Sequence, residues 1–221
     1  AIATLAIYGA VSQIALHQRL LVTESLSTPM FLASLCAFER FRTGRWKESQ
    51  FGAATVLLTA AALLAKLVAA CQAGAILILV GLERKRRATI WPALGVVLGL
   101  GIYFGYAAWQ GWGLFWRMMT LHGMRFEGFD SVVQMIVNGR LIHENNPNAP
   151  LLYGWLALAA LAMTRGRGRE LFLAPLIYLA GFIFFANSQV IFGWHLLPFY
   201  PFLALGLGVL FARIVRKPET I

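Results

Sequence analysis

Charged side chains are scarce in this chain. Only 13% of its 221 residues are charged and 59% are hydrophobic, and the mean hydropathy is +0.70. Soluble globular domains carry about 25% charged residues. The composition therefore excludes an ordinary soluble domain and favours a membrane protein.

Cysteines and recognisable catalytic motifs are also scarce. The two cysteines, Cys36 and Cys71, lie inside apolar segments, which predicts small buried hydrophobic residues and not a disulfide or a metal pair. No Walker A, HExxH, GxSxG or CxxC motif occurs. His122 and His143 lack the paired spacing of a metal site. No metal ligand is predicted, and a requirement for a divalent metal is left open.

What the chain does have is a series of apolar stretches close to the roughly 20 residues that a spanning helix needs. The eight stretches are 1–17, 26–38, 51–66, 67–82, 90–108, 151–163, 171–186 and 196–212. They predict an all-α, polytopic transmembrane helix bundle of about 7–8 membrane segments, with 1–221 as a single transmembrane domain. The first stretch has no charged region before it, which indicates a fragment whose N-terminal helices are missing.

Clusters of basic residues lie between these apolar stretches or follow them. Fourteen of the 19 lysines and arginines form four clusters: Arg40/Arg42/Arg45/Lys47, Arg84/Lys85/Arg86/Arg87, Arg165/Arg167/Arg169 and Arg213/Arg216/Lys217. Because lysine and arginine are retained on the cytoplasmic side, the clusters predict that 40–50, 83–89, 164–170 and 213–221 are cytoplasmic. Anionic lipid at that surface explains the net charge of +10 without nucleic acid as a partner.

The same predicted topology places residues 109–150 on the external side of the membrane. Residues 112–124 mix Trp, Phe and Met with few charges, which favours a helix lying in the lipid interface. A second short helix is predicted at 132–138, capped by Asp130 or Ser131 and ended by Asn138-Gly139. The long external loop therefore contains interfacial helices.

Four ionisable residues at the external boundary are candidates for chemistry, since such groups at a membrane are functional hypotheses by default. Three of the four, Glu24, Lys66 and His195, have a structural alternative. Glu24 could be a favourable acid at a helix N-terminus, and Lys66 could extend to the headgroups. His195 could be an interfacial histidine beside a tryptophan, and Arg19 belongs to the external turn before Glu24.

Three segments resemble motifs of the GT-C membrane glycosyltransferases. They are Arg19-Leu-Leu-Val-Thr-Glu24-Ser-Leu, Leu63-Leu64-Ala65-Lys66-Leu67, and Trp194-His195-Leu-Leu-Pro198-Phe-Tyr-Pro201-Phe-Leu-Ala. They are most similar to the branch of dolichyl-phosphate-mannose–protein mannosyltransferases and ArnT-like aminoarabinose transferases. Ala65 departs from the family pattern, which usually has Thr before the lysine. The first external loop, which carries the family's main catalytic acid, is not among the matching segments.

The resemblance implies a bacterial inner-membrane enzyme segment that transfers a sugar from a polyprenyl-phosphate donor to an extracytoplasmic lipid, glycan or protein acceptor. It implies that Glu24 is a catalytic or structural carboxylate on the acceptor side. It also implies that Arg19, Lys66 and His195 bind the donor. Two other classes stay open: a transporter or flippase for a lipid-linked sugar, and a non-catalytic membrane assembly subunit. A transporter often has an inverted repeat, and the sequence shows none.

Overall fold

A computed structural model describes residues 23–123, 149–163, 168–185 and 198–215, and regular structure in these ranges is entirely helical. The first five α-helices are α1 (Thr23–Arg42), α2 (Glu48–Ala65), α3 (Ala70–Leu82), α4 (Ile90–Gln110) and α5 (Trp112–Gly123). Short 3-10 helices, Leu67–Ala69 and Arg86–Thr89, precede α3 and α4. The later helices are α6 (Ala149–Ala162), α7 (Gly168–Phe185) and α8 (Tyr200–Val215). The all-α prediction is confirmed for these residues.

The helices alternate in direction. Phe41, near the end of α1, stacks on Phe51, near the start of α2, with ring centroids 4.6 Å apart, so these two helices form an antiparallel hairpin. Gly181, near the end of α7, lies against Cys71, near the start of α3, so α3 and α7 are antiparallel as well. The alternation agrees with the order of directions that the basic clusters predict.

Two pairs of helices that are not neighbours in sequence run parallel and pack closely. In α2 and α4, Gly95 lies against Thr59 and Gly99 lies against Ala60. In α6 and α8, Gly154 contacts Leu203 and Gly206 contacts Leu158. Small residues at such crossings let the helix backbones approach each other. Helices associate in this way in lipid, where the hydrophobic effect does not drive their association.

Aromatic side chains fill the core where α1, α7 and α8 meet. Phe31 lies 5.9 Å from Tyr178 and 5.6 Å from Phe202, measured between ring centroids. Tyr178 in turn lies 5.0 Å from Phe199. All four side chains are buried. This cluster ties the helices on either side of the long loop into one core.

The first two basic clusters meet at one end of the bundle, which we call the basic end (residues 40–47 and 84–87). Arg42 pairs with Glu39 at 2.7 Å and with Glu83 at 3.5 Å. The Lys85 ammonium donates a hydrogen bond of 3.3 Å to the carbonyl of Phe41 and lies 3.9 Å from the centre of its ring. The two clusters are therefore in direct contact, through residues 44 positions apart in sequence.

Two described helices are long and apolar enough to cross a membrane: Glu48–Ala65, and Arg86–Gln110, which joins a 3-10 turn to α4. Shorter apolar helices are Leu67–Leu82, Phe172–Gly181 and Tyr200–Ala212. The apolar segment 1–17 and the short helix 132–138 lie outside the described residues. The helix predicted at 112–124 is present as α5, whereas its position at a lipid interface stays a prediction, as does the full set of membrane segments.

The prediction that both cysteines are buried is wrong for Cys36. Its side chain is exposed, whereas Cys71 is partly buried. The reason is the helical period: Ser34, Ala37 and Phe38 turn inward, which leaves position 36 on the outer face of α1. Because a free cysteine behaves as a small hydrophobic residue, an exposed one in an apolar segment is as compatible with lipid contact as with a protein core.

Candidate functional site

Lys66 stands at a break between two helices. Its N–H donates to the carbonyl of Ala62 at 2.9 Å, which closes the last turn of α2, and its own carbonyl accepts from Ala69 at 2.9 Å, which opens the next 3-10 turn. Its backbone is extended, with φ −160° and ψ 125°, so the chain reverses there. The predicted boundary between 51–66 and 67–82 is confirmed, and the half-buried lysine sits at the tip of the hairpin.

The tip lies opposite the basic end. At 1.5 Å per residue, α2 places Lys66 about 27 Å from the first turn of that helix. The two basic clusters and Lys66 are thus separated by close to the thickness of a bilayer's hydrocarbon core, roughly 30 Å. We call this opposite region the Lys66 end.

Glu24 is the second residue of α1. Because α1 and α2 form an antiparallel hairpin, the start of α1 and the end of α2 lie at the same end of the bundle. The backbone positions of Glu24 and Lys66 are therefore at the same end of the bundle, and the external location of that end stays a prediction. Arg19 and His195 lie outside the described residues, so the shared cavity predicted for Lys66 and His195 stays a prediction.

Sequence reasoning missed one buried polar residue near this end, Gln72. It lies in the first turn of α3 and is 4% exposed, and neither atom of its amide has a hydrogen-bond partner. A cavity of about 10 Å³ lies beside it, also lined by Ser34, Thr59 and Ala62. That volume is near the minimum that one water molecule occupies. The signal in the sequence is an amide inside an apolar run, which is costly unless it is satisfied.

Ser34 and Gln72, which both line this cavity, differ in whether their hydrogen-bonding groups are satisfied. Ser34 donates to the carbonyl of Met30, one turn earlier, at 2.9 Å, so its hydrogen is already used within α1. Gln72 can both donate and accept, and its amide is the group able to bind a water or a ligand hydroxyl here. The described part of this end thus combines a cation, Lys66, with an unsatisfied amide on the adjacent turn of chain.

Chemically, this arrangement can bind an anion or a hydroxyl-rich group and does not resemble a metal centre. Among the described residues, no group of three or more His, Cys, Asp or Glu side chains is placed to hold a metal ion. A lysine at a helix break presents a compact point charge, which suits phosphate. An amide beside it suits a sugar hydroxyl or an ordered water.

Comparison with protein-family models, with curated proteins and with solved structures finds no match to this chain.

Proposed function

We propose that this chain is part of a polytopic membrane glycosyltransferase that transfers a sugar from a polyprenyl-phosphate donor to a lipid, glycan or protein acceptor. The observation that carries the proposal is the position of Lys66. It interrupts two apolar helices at the end of the bundle opposite the basic clusters, on the same side as Glu24. The motif resemblance at both residues supports the same reaction.

The proposed membrane arrangement follows from the two ends. The basic end faces the cytoplasm, because lysine and arginine are retained there, and the Lys66 end faces the extracytoplasmic side of a bacterial inner membrane. Helices α2 and α4 cross the bilayer, and the remaining apolar helices complete a bundle of about 7–8 segments. A polyprenyl chain would lie among lipid tails, with its phosphate at the Lys66 end.

Each residue then has a distinct role. Transfer requires cations that stabilise the departing phosphate and a base that accepts the acceptor's proton, and both act more strongly where water is excluded. Lys66, with Arg19 and His195, binds the donor phosphate or sugar. Glu24 serves as the carboxylate on the acceptor side, and Gln72 is placed to bind a hydroxyl on the adjoining turn.

The test is sugar transfer from a polyprenyl-phosphate-linked sugar by membranes that contain the full-length protein. Glu24→Gln should abolish transfer or reduce it about 100-fold or more, within the range that a general base contributes. Lys66→Met keeps the apolar stem and removes the charge, so it should weaken donor binding and leave thermal stability in detergent unchanged or raised. Lys47→Met is the matched control, because Lys47 is exposed at the basic end.

The outcomes separate the alternatives. Full activity of Glu24→Gln removes that residue from the site, and loss of folding assigns it to helix capping, which is worth only about 0.5–2 kcal/mol. An unchanged donor affinity in Lys66→Met would mean that the lysine extends to the headgroups. Movement of the intact lipid-linked sugar across the membrane without release of sugar would replace the transferase by a flippase.

A further inference from the structure

The basic end contains a groove that the proposed sugar chemistry does not use. Its volume is about 500 Å³, and it is lined by Phe41, Glu48, Arg84, Lys85, Arg86, Arg87 and Ala88. Four of these side chains are cationic and one is anionic, so the groove has a formal charge of +3. It lies where the linker between α3 and α4 covers the α1–α2 turn. A concave, cationic surface of this kind fits an anion with several oxygens.

The carboxylates near the groove leave that positive charge largely uncompensated. Glu39 and Glu83 are engaged by Arg42, at 2.7 and 3.5 Å. Glu48, which lines the groove, accepts a hydrogen bond of 3.4 Å from the indole N–H of Trp91. Arg84, Arg86 and Arg87 are exposed, and no ion pair to any of them is present among the described residues. These three guanidinium groups are the groove's available anion-binding groups.

Lys85 fixes the linker between α3 and α4, which forms one wall of the groove. Its ammonium rests on the Phe41 ring at 3.9 Å and donates to the Phe41 carbonyl, which fastens the linker to the C-terminal end of α1. Arg84, the residue before it, adopts a left-handed backbone with φ 57°, which turns the chain sharply out of α3. The neighbouring arginines are therefore presented by a fixed turn and not by a loose loop.

An exposed apolar face begins directly beside these arginines. Along α4, four large apolar side chains at the helical spacing i, i+4, i+7 and i+8 are solvent-accessible: Ile90 54%, Leu94 40%, Val97 65% and Leu98 41%. The spacing puts these side chains on one face of the helix. This face begins three residues after Arg87 and runs about 12 Å along α4 at 1.5 Å per residue.

We propose that this groove binds the phosphate headgroup of an anionic phospholipid, whose acyl chains lie along the exposed face of α4. Phosphate is the shared chemistry of a lipid headgroup and of the free ion, and the adjoining apolar face favours the lipid. The site goes beyond the proposed function and depends only on its membrane placement, because it lies at the end opposite Lys66. Lipid bound there bridges α1 and the linker between α3 and α4.

The test compares lipid binding to the purified full chain by native mass spectrometry, in a detergent supplemented with phosphatidylglycerol, with phosphatidylcholine or with inorganic phosphate alone. The wild-type chain should retain phosphatidylglycerol in preference to phosphatidylcholine. The double change Arg86→Gln/Arg87→Gln should weaken that binding about 30-fold, since each arginine at an anionic surface contributes about a factor of five. The control Arg40→Gln/Arg45→Gln removes two charges from the same end but outside the groove, and should weaken binding clearly less than the groove pair does, because neither side chain lines the groove.

Three results would overturn the proposal. Equal weakening by both double changes would mean diffuse attraction to a basic surface, and equal binding of the two lipids would mean no headgroup recognition. Binding of inorganic phosphate as tight as that of phosphatidylglycerol would assign the groove to a free anion. Thermal unfolding of each variant checks folding, and the single change Arg86→Gln, expected to weaken binding about fivefold, serves if the double variant does not fold. None of these changes touches Glu24 or Lys66, so sugar transfer is unaffected even if the groove proposal is correct.

Discussion

Two threonines of the bundle, Thr55 and Thr43, differ in whether their hydroxyl groups are hydrogen-bonded. Thr55, in the middle of α2, is fully buried and its hydroxyl has no hydrogen-bond partner. Thr43, just beyond α1, instead donates to the carbonyls of Glu39 and Arg40, at 2.8 and 3.2 Å. An unsatisfied buried hydroxyl costs about 1–3 kcal/mol, whereas a satisfied one at a helix end stabilises that end. The same residue type thus has opposite effects at the two positions.

We therefore expect Thr55→Val to raise the stability of the protein by about 1 kcal/mol, because it removes an unsatisfied hydroxyl and keeps the branched shape. Thr43→Val should lower stability by a few tenths to about 1 kcal/mol, because two carbonyls at the end of α1 lose their donor. Thermal unfolding in one detergent, monitored by circular dichroism, measures both. A loss of stability in Thr55→Val would show that its hydroxyl has a partner in the membrane-embedded protein.

At the scale of helices, the contact between α2 and α4 depends on small residues at exact positions. A Cβ atom at Gly95 would lie 2.7 Å from the Cβ atom of Thr59 and 3.0 Å from the carbonyl oxygen of Val56. Neither atom is the end of a flexible side chain, so the helices would have to move apart. Gly101, two turns further along α4, has nothing within 4 Å of the equivalent position.

The pair of glycines gives a matched test. Gly95→Ala should destabilise the protein by about 1–3 kcal/mol, the usual cost of overpacking, despite the better helix propensity of alanine. Gly101→Ala should be neutral or should stabilise the helix by up to about 1 kcal/mol. Chemical denaturation in mixed micelles compares the two variants. Equal stability of both would mean that α2 and α4 do not pack in this way.

At the scale of the whole molecule, the bundle is polarised. Eight cationic side chains of the first two clusters occupy one end, and Lys66 marks the other, with apolar helices between them. In the proposed membrane arrangement this distribution favours one orientation, because each cationic cluster opposes translocation. Arg42 and Lys85, which join the turns at the basic end, would contribute to that orientation.

Cysteine labelling of intact cells measures the orientation. With Cys36 and Cys71 replaced by alanine, a cysteine at position 146 should react with an impermeant maleimide from outside, and a cysteine at position 168 or at Ser49 should react only after permeabilisation. Ser49 is exposed in the first turn of α2, at the basic end. Labelling of the three positions in the reverse pattern would contradict the assignment of both ends.

Much of the helical pattern could be predicted because apolar length and basic clusters are local properties of the sequence. The break at Lys66 and the antiparallel α1–α2 hairpin followed from a charge between two apolar runs. The contacts of Gly95 with Thr59 could not be predicted, because they depend on how two helices separated by another helix rotate against each other. The exposure of Cys36 was mispredicted for the same reason: apolar composition does not say which face of a helix turns inward. Of the candidate site, the common end of Glu24 and Lys66 was predictable from alternation of direction, whereas the cavity beside Gln72 required three helices in their final positions.

The parallel packing of α2 against α4 has a consequence for synthesis. The contacts of α4 with α2 join residues such as Thr59 and Gly95, which are translated 36 positions apart. At 5–20 residues per second, α2 waits roughly 2–7 s for its partner. During that interval α2 packs against α1, through the hairpin that Phe41 and Phe51 close, and then against α3, which shares the cavity at Gln72 with it. The side of Thr59 that Gly95 covers is still open. In the membrane arrangement proposed above, a ribosome that stalls before α4 emerges would therefore leave Thr59 facing lipid in place of Gly95.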